Sequence, residues 1–184
     1  MAESTIDWPA IRDRSSKSET LPISYSIEHP TTYISSTAGY YNQDWTSEDY
    51  KSFTRWQVNK TKYDPCPAGW RVPGSSDGSP WTKSLGTDWY ADIHATWDSE
   101  NLGIDFAIGN LFGSGCIWYP ATSLRNDATG TLDLTGHGFY WTVNKKTAFF
   151  PAILDIHHED DGYYVYNGYS GIMTTGASVR CIKE

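Results

Sequence analysis

From Leu21 onward the chain never sustains an apolar pattern long enough to line several turns of helix, because short aromatic and β-branched runs are repeatedly cut by Gly, Pro, Asn and Asp. Only eight leucines occur in 184 residues, against 16 Gly and 9 Pro. Such a chain cannot cover the faces of a helical bundle or coiled coil, and short strands joined by turns and loops are what it can build. Its core must be filled by rings, and 9 Trp, 13 Tyr and 6 Phe are available. The length suits one domain with a sizeable core and is tight for two. Residues 1–20 are polar, Ser-rich and without hydrophobic period, which reads as a lead-in segment or interdomain linker anchored by Ile6, Trp8 and Ile11. Residues 21–184 read as the single domain.

Charge narrows the partners. A net charge of −8 surrounds the protein with a field that repels phosphates, so nucleic acid is not an expected partner. No apolar run is long enough to span a bilayer, and no basic and apolar leader precedes the domain. If the protein is exported, its signal has been removed from this chain.

Strands are expected at Thr32 to Ser35, Cys116 to Tyr119, Phe139 to Val143, Ala148 to Ile156, Tyr163 to Tyr166 and Ser178 to Ile182, all rich in β-branched and aromatic residues and bounded by turn formers. Two short helices are expected. Thr46 and Asp49 resemble a capping box opening Ser47 to Trp56, with a compact loop as the alternative. Ser79 as N-cap, Pro80 at the first helical position and Gly86 past the end frame Trp81 to Leu85.

Candidates for catalysis are thin. Gly113-Ser114-Gly115 lacks the spacing of a nucleophile elbow and reads as a turn. Asp64, Asp105, Asp133 and Asp155 are scattered, and Asn59-Lys60-Thr61 matches a glycosylation sequon of low specificity. The densest ionisable run is His157-His158-Glu159-Asp160-Asp161. Neighbouring histidines on a strand point to opposite faces and cannot share an ion. Its acids lack the Gly-punctuated spacing of a calcium loop, so a solvated hairpin tip is the plainer reading. No catalytic residue, no metal ligand set and no cofactor fingerprint is read. Three cysteines, at 66, 116 and 181, permit one disulfide and one buried thiol.

Two segments are the most specific in the chain: Tyr63-Asp64-Pro65-Cys66-Pro67-Ala68-Gly69-Trp70-Arg71-Val72-Pro73, in which Trp70 and Val72 are expected to alternate inward, and the terminal Gly176-Ala177-Ser178-Val179-Arg180-Cys181-Ile182. They resemble the ends of the Fibrobacter succinogenes major paralogous domain family, found in surface proteins of Bacteroidetes. Tyr119-Pro120-Ala121, Arg125, Gly130-Thr131-Leu132 and Gly138-Phe139-Tyr140-Trp141-Thr142 resemble its internal landmarks, and Ser26 to Tyr33 looks like an upstream extension of gut members. The resemblance covers about residues 60–184. It implies an α+β, C-type-lectin-like fold: a small twisted, mainly antiparallel sheet with two short helices and long loops. It also implies a secreted or outer-membrane-anchored place at the cell surface, adhesion or ligand binding, and kinship with the variable proteins of diversity-generating retroelements. A Gly/Ser loop stands where the family often has an acidic residue and Trp on a helix, and the motifs of calcium-dependent sugar-binding lectins are missing. In that fold the first and last cysteines come together, implying a Cys66–Cys181 disulfide. For a loop of that span the chain-entropy account gives about 4–5 kcal/mol; two reduced thiols are the alternative.

The Tyr-rich stretch from His157 to Met173 has the composition of a paratope, stiff aromatic area beside adaptable hydrogen-bonding groups. The expected binding residues are His157, His158, Asp160, Asp161, Tyr163, Tyr164, Tyr166, Asn167, Tyr169 and Ser170. In the relatives' layout Arg125, Asn126, Asp127, His137 and Asn144 lie on neighbouring loops. The competing reading packs alternate tyrosines into the core. Trp70, Trp81, Trp118 and Trp141 are expected in the core, whereas Trp89 and Trp97 are open to stacking on a sugar. The function expected is non-enzymatic recognition of a protein or glycan at a cell surface. A structural or tip module of a surface or fimbrial assembly is the alternative, and a formylglycine-generating-type enzyme, which needs a copper-binding cysteine pair, stands third.

Overall fold

The computed structural model describes residues 10–13, 21–35, 55–74, 95–107, 116–147, 150–160 and 162–184. The helices expected at 81–85 and over 47–54, together with Trp89, Gly113 to Gly115 and Asp161, lie outside these residues; Arg55 and Trp56, at the end of the first expected helix, are in a bend.

The described chain is mainly antiparallel sheet with one short helix. In order it runs β1 (Ala10–Asp13), α1 (Ile23–Glu28), β2 (Thr32–Ser35), β3 (Trp70–Arg71), β4 (Ala95–Asp98), β5 (Gly103–Ala107), β6 (Cys116–Pro120), β7 (Leu124–Arg125), β8 (Leu132–Asp133), β9 (His137–Lys145), β10 (Pro151–Glu159), β11 (Gly162–Ser170) and β12 (Ile182–Lys183). Two three-stranded antiparallel sheets, β11-β10-β9 and β4-β5-β6, form its centre. Two-stranded pairs flank them: β3 with β12, β7 with β8, and β1 parallel to β2. No helix among the described residues is long and apolar enough to cross a membrane.

The β9 to β11 sheet is buried on both faces over much of its length, which is why its strands read as dense apolar and aromatic runs. On one face Tyr140, Leu154, Ile156 and Val165 pack against Ile104, Phe106 and Tyr119 of the second sheet, with Trp97 at the margin. Tyr119 meets Phe106 and Tyr140 edge-on, at centroid distances of 5.3 and 5.2 Å, the geometry that aromatic quadrupoles favour. On the other face Phe139, Trp141 and Ile153 gather Trp56, Leu124, Tyr169 and Ala177. The outer edge of β9 is closed by Ser178, which accepts from Trp141 N (2.8 Å) and donates to Phe139 O (2.9 Å), and by Pro73 O, which accepts from Val143 N. A covered edge offers no template for further strands.

The front of the expected domain is tied to its end. Cys66 and Cys181 stand at bonding distance, with sulfurs 2.09 Å apart, beside the β3 and β12 pairing of Arg71 with Ile182. Buried Asp64 secures this corner: its two oxygens accept from Cys66 N (2.8 Å), Val72 N (3.1 Å) and Lys60 Nζ (3.1 Å). Asp64 is thus a structural group.

Several expectations shift. Val72 is buried as expected, but Trp70 is 43% exposed, because among the described residues β3 pairs only with the two-residue terminal strand β12. The terminal strand shortens to β12, with Ser178 bridging to Tyr140 instead. Strand β1 emerges inside the polar lead-in, and the β4 to β5 hairpin appears in a stretch for which no strand was expected.

Candidate functional site

Strands β10 and β11 form a hairpin, with Glu159 opposite Gly162 and Asp160 in the turn that follows β10. Gly162, at φ +148°, takes a backbone conformation that other residues resist. Glu159 and Asp160 therefore lie at the end of the hairpin, and both are exposed.

Below the tip, three strands put one cross-strand row together. His157 lies opposite His137 on one side and opposite Tyr164 on the other. The rings stack along the row, His137 on His157 at 4.3 Å and His157 on Tyr164 at 5.2 Å between centroids. The next residue of β10 on the same face is Asp155, only 4% exposed. Its Oδ1 lies 3.2 Å from Nδ1 of both His137 and His157. On the far side of the His157 ring, Nε2 is 3.5 Å from Glu159 Oε1.

Tyr166 shares this face by alternation, and its hydroxyl accepts from Lys146 Nζ at 2.7 Å. A bulge at Ile153/Leu154 then shifts the β11 register by one residue. Tyr169 consequently joins the same face and packs on Phe139 at 5.4 Å. Burial, and after it the negative charges of Asp155 and Asp133, raise the Tyr169 phenol above the ordinary tyrosine value. Asp133 ends β8, so the β7 to β8 hairpin flanks the histidine row. That hairpin presents Leu132 and Leu134, 50% and 38% exposed, next to His137, whose N–H donates to Leu134 O.

No protein-family model, curated protein or solved structure matches the chain. Its candidate residues therefore stand on their own geometry. His137, His157, Tyr164 and Tyr166 converge on one face; Asp155, at its centre, was not among the expected binding residues. Arg125 ends β7, and Asn126 and Asp127 begin the turn to β8. There the Arg125 guanidinium donates to Gly130 O at 2.7 Å, and Asn126 Oδ1 accepts from the amides of Ala128 and Thr129. Arg125 and Asn126 are largely occupied in shaping that turn. His158 leaves from the opposite face and stacks on Trp97 at 5.6 Å, so this Trp ring already has a partner. Ser170 is exposed at the end of β11, while Tyr163 and Asn167 are placed by their backbone pairing opposite His158 and Leu154.

Asn144 belongs elsewhere. It lines an open groove of about 560 Å³ walled by Ile23, Trp56, Tyr63, Trp141 and Pro151. The volume falls in the range of small-molecule sites. Trp56 Nε1 is held by Tyr63 O at 2.8 Å, and its ring meets Trp141 edge-on at 5.8 Å, so the aromatic wall is fixed.

Proposed function

We propose that this chain is a non-enzymatic recognition domain of a bacterial cell-surface protein, with a C-type-lectin-like fold. Its ligand face is the one carrying His137, His157, Tyr164 and Tyr166. The observation that carries the reading is the convergence, on one partly exposed sheet face, of stacked imidazole and phenol rings with two exposed leucines on the adjoining hairpin. Rigid rings lose little conformational freedom on binding, and exposed leucines beside them supply apolar area. Two features support the lectin-like fold: the mainly antiparallel architecture, and the cysteine pair tying the Cys66 loop to the terminal strand. With Cys66 and Cys181 committed to each other, Cys116 alone is left as a thiol, which argues against a copper-cysteine enzyme.

The ligand class expected for this face is a protein surface, since the face is broad and partly apolar. Arrays of surface proteins and of glycans probed with the chain and with a Tyr164→Ser/Tyr166→Ser variant test the reading. A hit lost by the variant at unchanged melting temperature supports it, and a hit retained overturns it. The groove of Trp56, Tyr63 and Trp141 is the alternative site for a glycan, and a glycan hit abolished by Tyr63→Ala but indifferent to the tyrosine pair moves recognition there. Kinship with diversified proteins is tested in the flanking DNA, where a reverse transcriptase and an adenine-biased repeat of the last coding segment are expected.

A further inference from the structure

We propose that His137, Asp155 and His157 bind one divalent transition-metal ion of the zinc class. This inference does not depend on the recognition reading, because it concerns three side chains whose arrangement is set by the sheet.

Both imidazoles aim the same nitrogen, Nδ1, at the same oxygen, at 3.2 Å each, and the three donor atoms lie within 4.8 Å of one another. With metal–ligand bonds of about 2.0–2.2 Å, the edge of a tetrahedral site is about 3.3–3.6 Å. Two of the three edges therefore already have nearly that length, and a modest rotation of the partly exposed His137 ring closes the third.

Two further features suit ligation. The Asp155 carboxylate is buried and held against both rings from the centre of the sheet. On the outer side of His157, Glu159 Oε1 stands 3.5 Å from Nε2, which is where a ligating histidine needs a carboxylate. When Nδ1 gives its lone pair to a metal, the ring proton resides on Nε2 and is oriented by an outer acceptor. Stacking of His137 and Tyr164 on the two sides of His157 restrains its rotation. A dipositive ion also neutralises the two carboxylates. Two nitrogen donors out of three favour zinc, cobalt, nickel or iron over calcium and magnesium, which prefer all-oxygen sets. Three protein ligands leave a fourth position for water or for a donor from a partner. The spacing of His137 from His157 in the chain hides this site, since neither lies within a recognisable ligand motif.

The test is titration of Co²⁺ into the metal-free, oxidised full chain. One equivalent is expected to bind with the intense visible bands of a tetrahedral site, without the charge-transfer band of a thiolate. Zn²⁺ should displace it, and Ca²⁺ and Mg²⁺ should not. His137→Gln and His157→Gln should each abolish the bands, Glu159→Gln should weaken binding by about 10-fold, and His158→Gln, on the opposite face, should change nothing. On the unaltered chain, Zn²⁺ should shift the ring resonances of His137 and His157 and leave those of His29 and His158 in place; this readout decides the matter even if a variant misfolds. Absence of saturable binding, Zn²⁺ shifts confined to the other histidines, or bands that survive in a folded His137→Gln/His157→Gln variant would overturn the proposal.

Discussion

His137 and His157 lie directly opposite one another across β9 and β10, with ring centroids 4.3 Å apart and planes inclined by 21°. The two rings share one hydrogen-bond partner, Asp155 Oδ1. Removing that carboxylate leaves two partly buried imidazoles without their central partner. Asp155→Ala should cost about 1–3 kcal/mol in urea denaturation, and Asp155→Asn should recover part of it by keeping a carbonyl oxygen in place.

A second consequence concerns the corner of Asp64. Its side chain is fully buried and takes hydrogen bonds from two backbone amides and the Lys60 ammonium. Losing a buried, charged acceptor for three donors should destabilise Asp64→Ala by about 3 kcal/mol. Ligand binding by refolded protein should be unaffected, which separates this structural acid from a functional one.

The Cys66 to Cys181 pairing closes 115 residues. Reduction, or Cys66→Ser/Cys181→Ser, should lower stability by about 2–5 kcal/mol, because the unfolded chain regains the freedom the link denied it. Urea midpoints with and without reductant measure the effect; equal midpoints would show that the link is not formed in solution.

Gly138 has no room for a side chain. A Cβ there would fall 2.6 Å from Ile156 Cγ1 and 2.9 Å from the backbone oxygen of Pro120. The oxygen cannot move aside as a flexible side chain can, so Gly138→Ala should cost about 1–3 kcal/mol. The same clash should spread β9 from β10 and loosen the histidine row, visible as changed ring resonances of His137 and His157.

Alkali should unfold the protein through its buried phenols. Burial first, and the charge of Asp127 second, raise Tyr33; burial is also the main cause for Tyr140 and Tyr169. Each favours the protonated phenol when folded, so its contribution is complete below the ordinary tyrosine value of about 10 and is lost as pH rises through the higher folded values. Stability at pH 7 and 9 should agree as far as these groups go, then fall. Tyr33→Phe should flatten the fall, although it also removes the hydroxyl's bond to Thr174 O. Denaturation midpoints followed by tyrosinate absorbance give the comparison.

Local sequence showed most of the central sheet. Thr32 to Ser35 and the cores of β6, β9, β10 and β11 are legible because β-branched and aromatic residues crowd there between turn formers. The β4 to β5 hairpin is hard to read from its strands, although its turn is written in Asp98-Ser99-Glu100-Asn101, where Asp98 Oδ1 accepts from the amides of Glu100 and Asn101. Ala95 to Asp98 is too short and polar to stand out. The helix Ile23–Glu28 follows Pro22 with no side-chain cap to announce it. Alternation alone does not place Trp70, because it says which residues share a face and not whether a second layer covers that face.

The candidate site shows the same division in sharper form. Residue types alone marked the stretch from His157 to Met173, and the alternation of a strand sufficed to separate His157 from His158. That His137 faces His157 was decided only in three dimensions. The pairing of Lys145 with Pro151, continued without interruption, would set Phe139 opposite His157; an irregularity between Pro151 and Ile153 moves the register by two residues and brings His137 there instead. A shift of two preserves the face, so Asp155 remains beside both rings. A shift of one, as at the Ile153/Leu154 bulge, exchanges faces and brings Tyr169 onto the face of the histidine row. Composition and alternation belong to each strand by itself and can be read along the chain. Register belongs to pairs of strands, and it is set by the packing of both sheet faces at once.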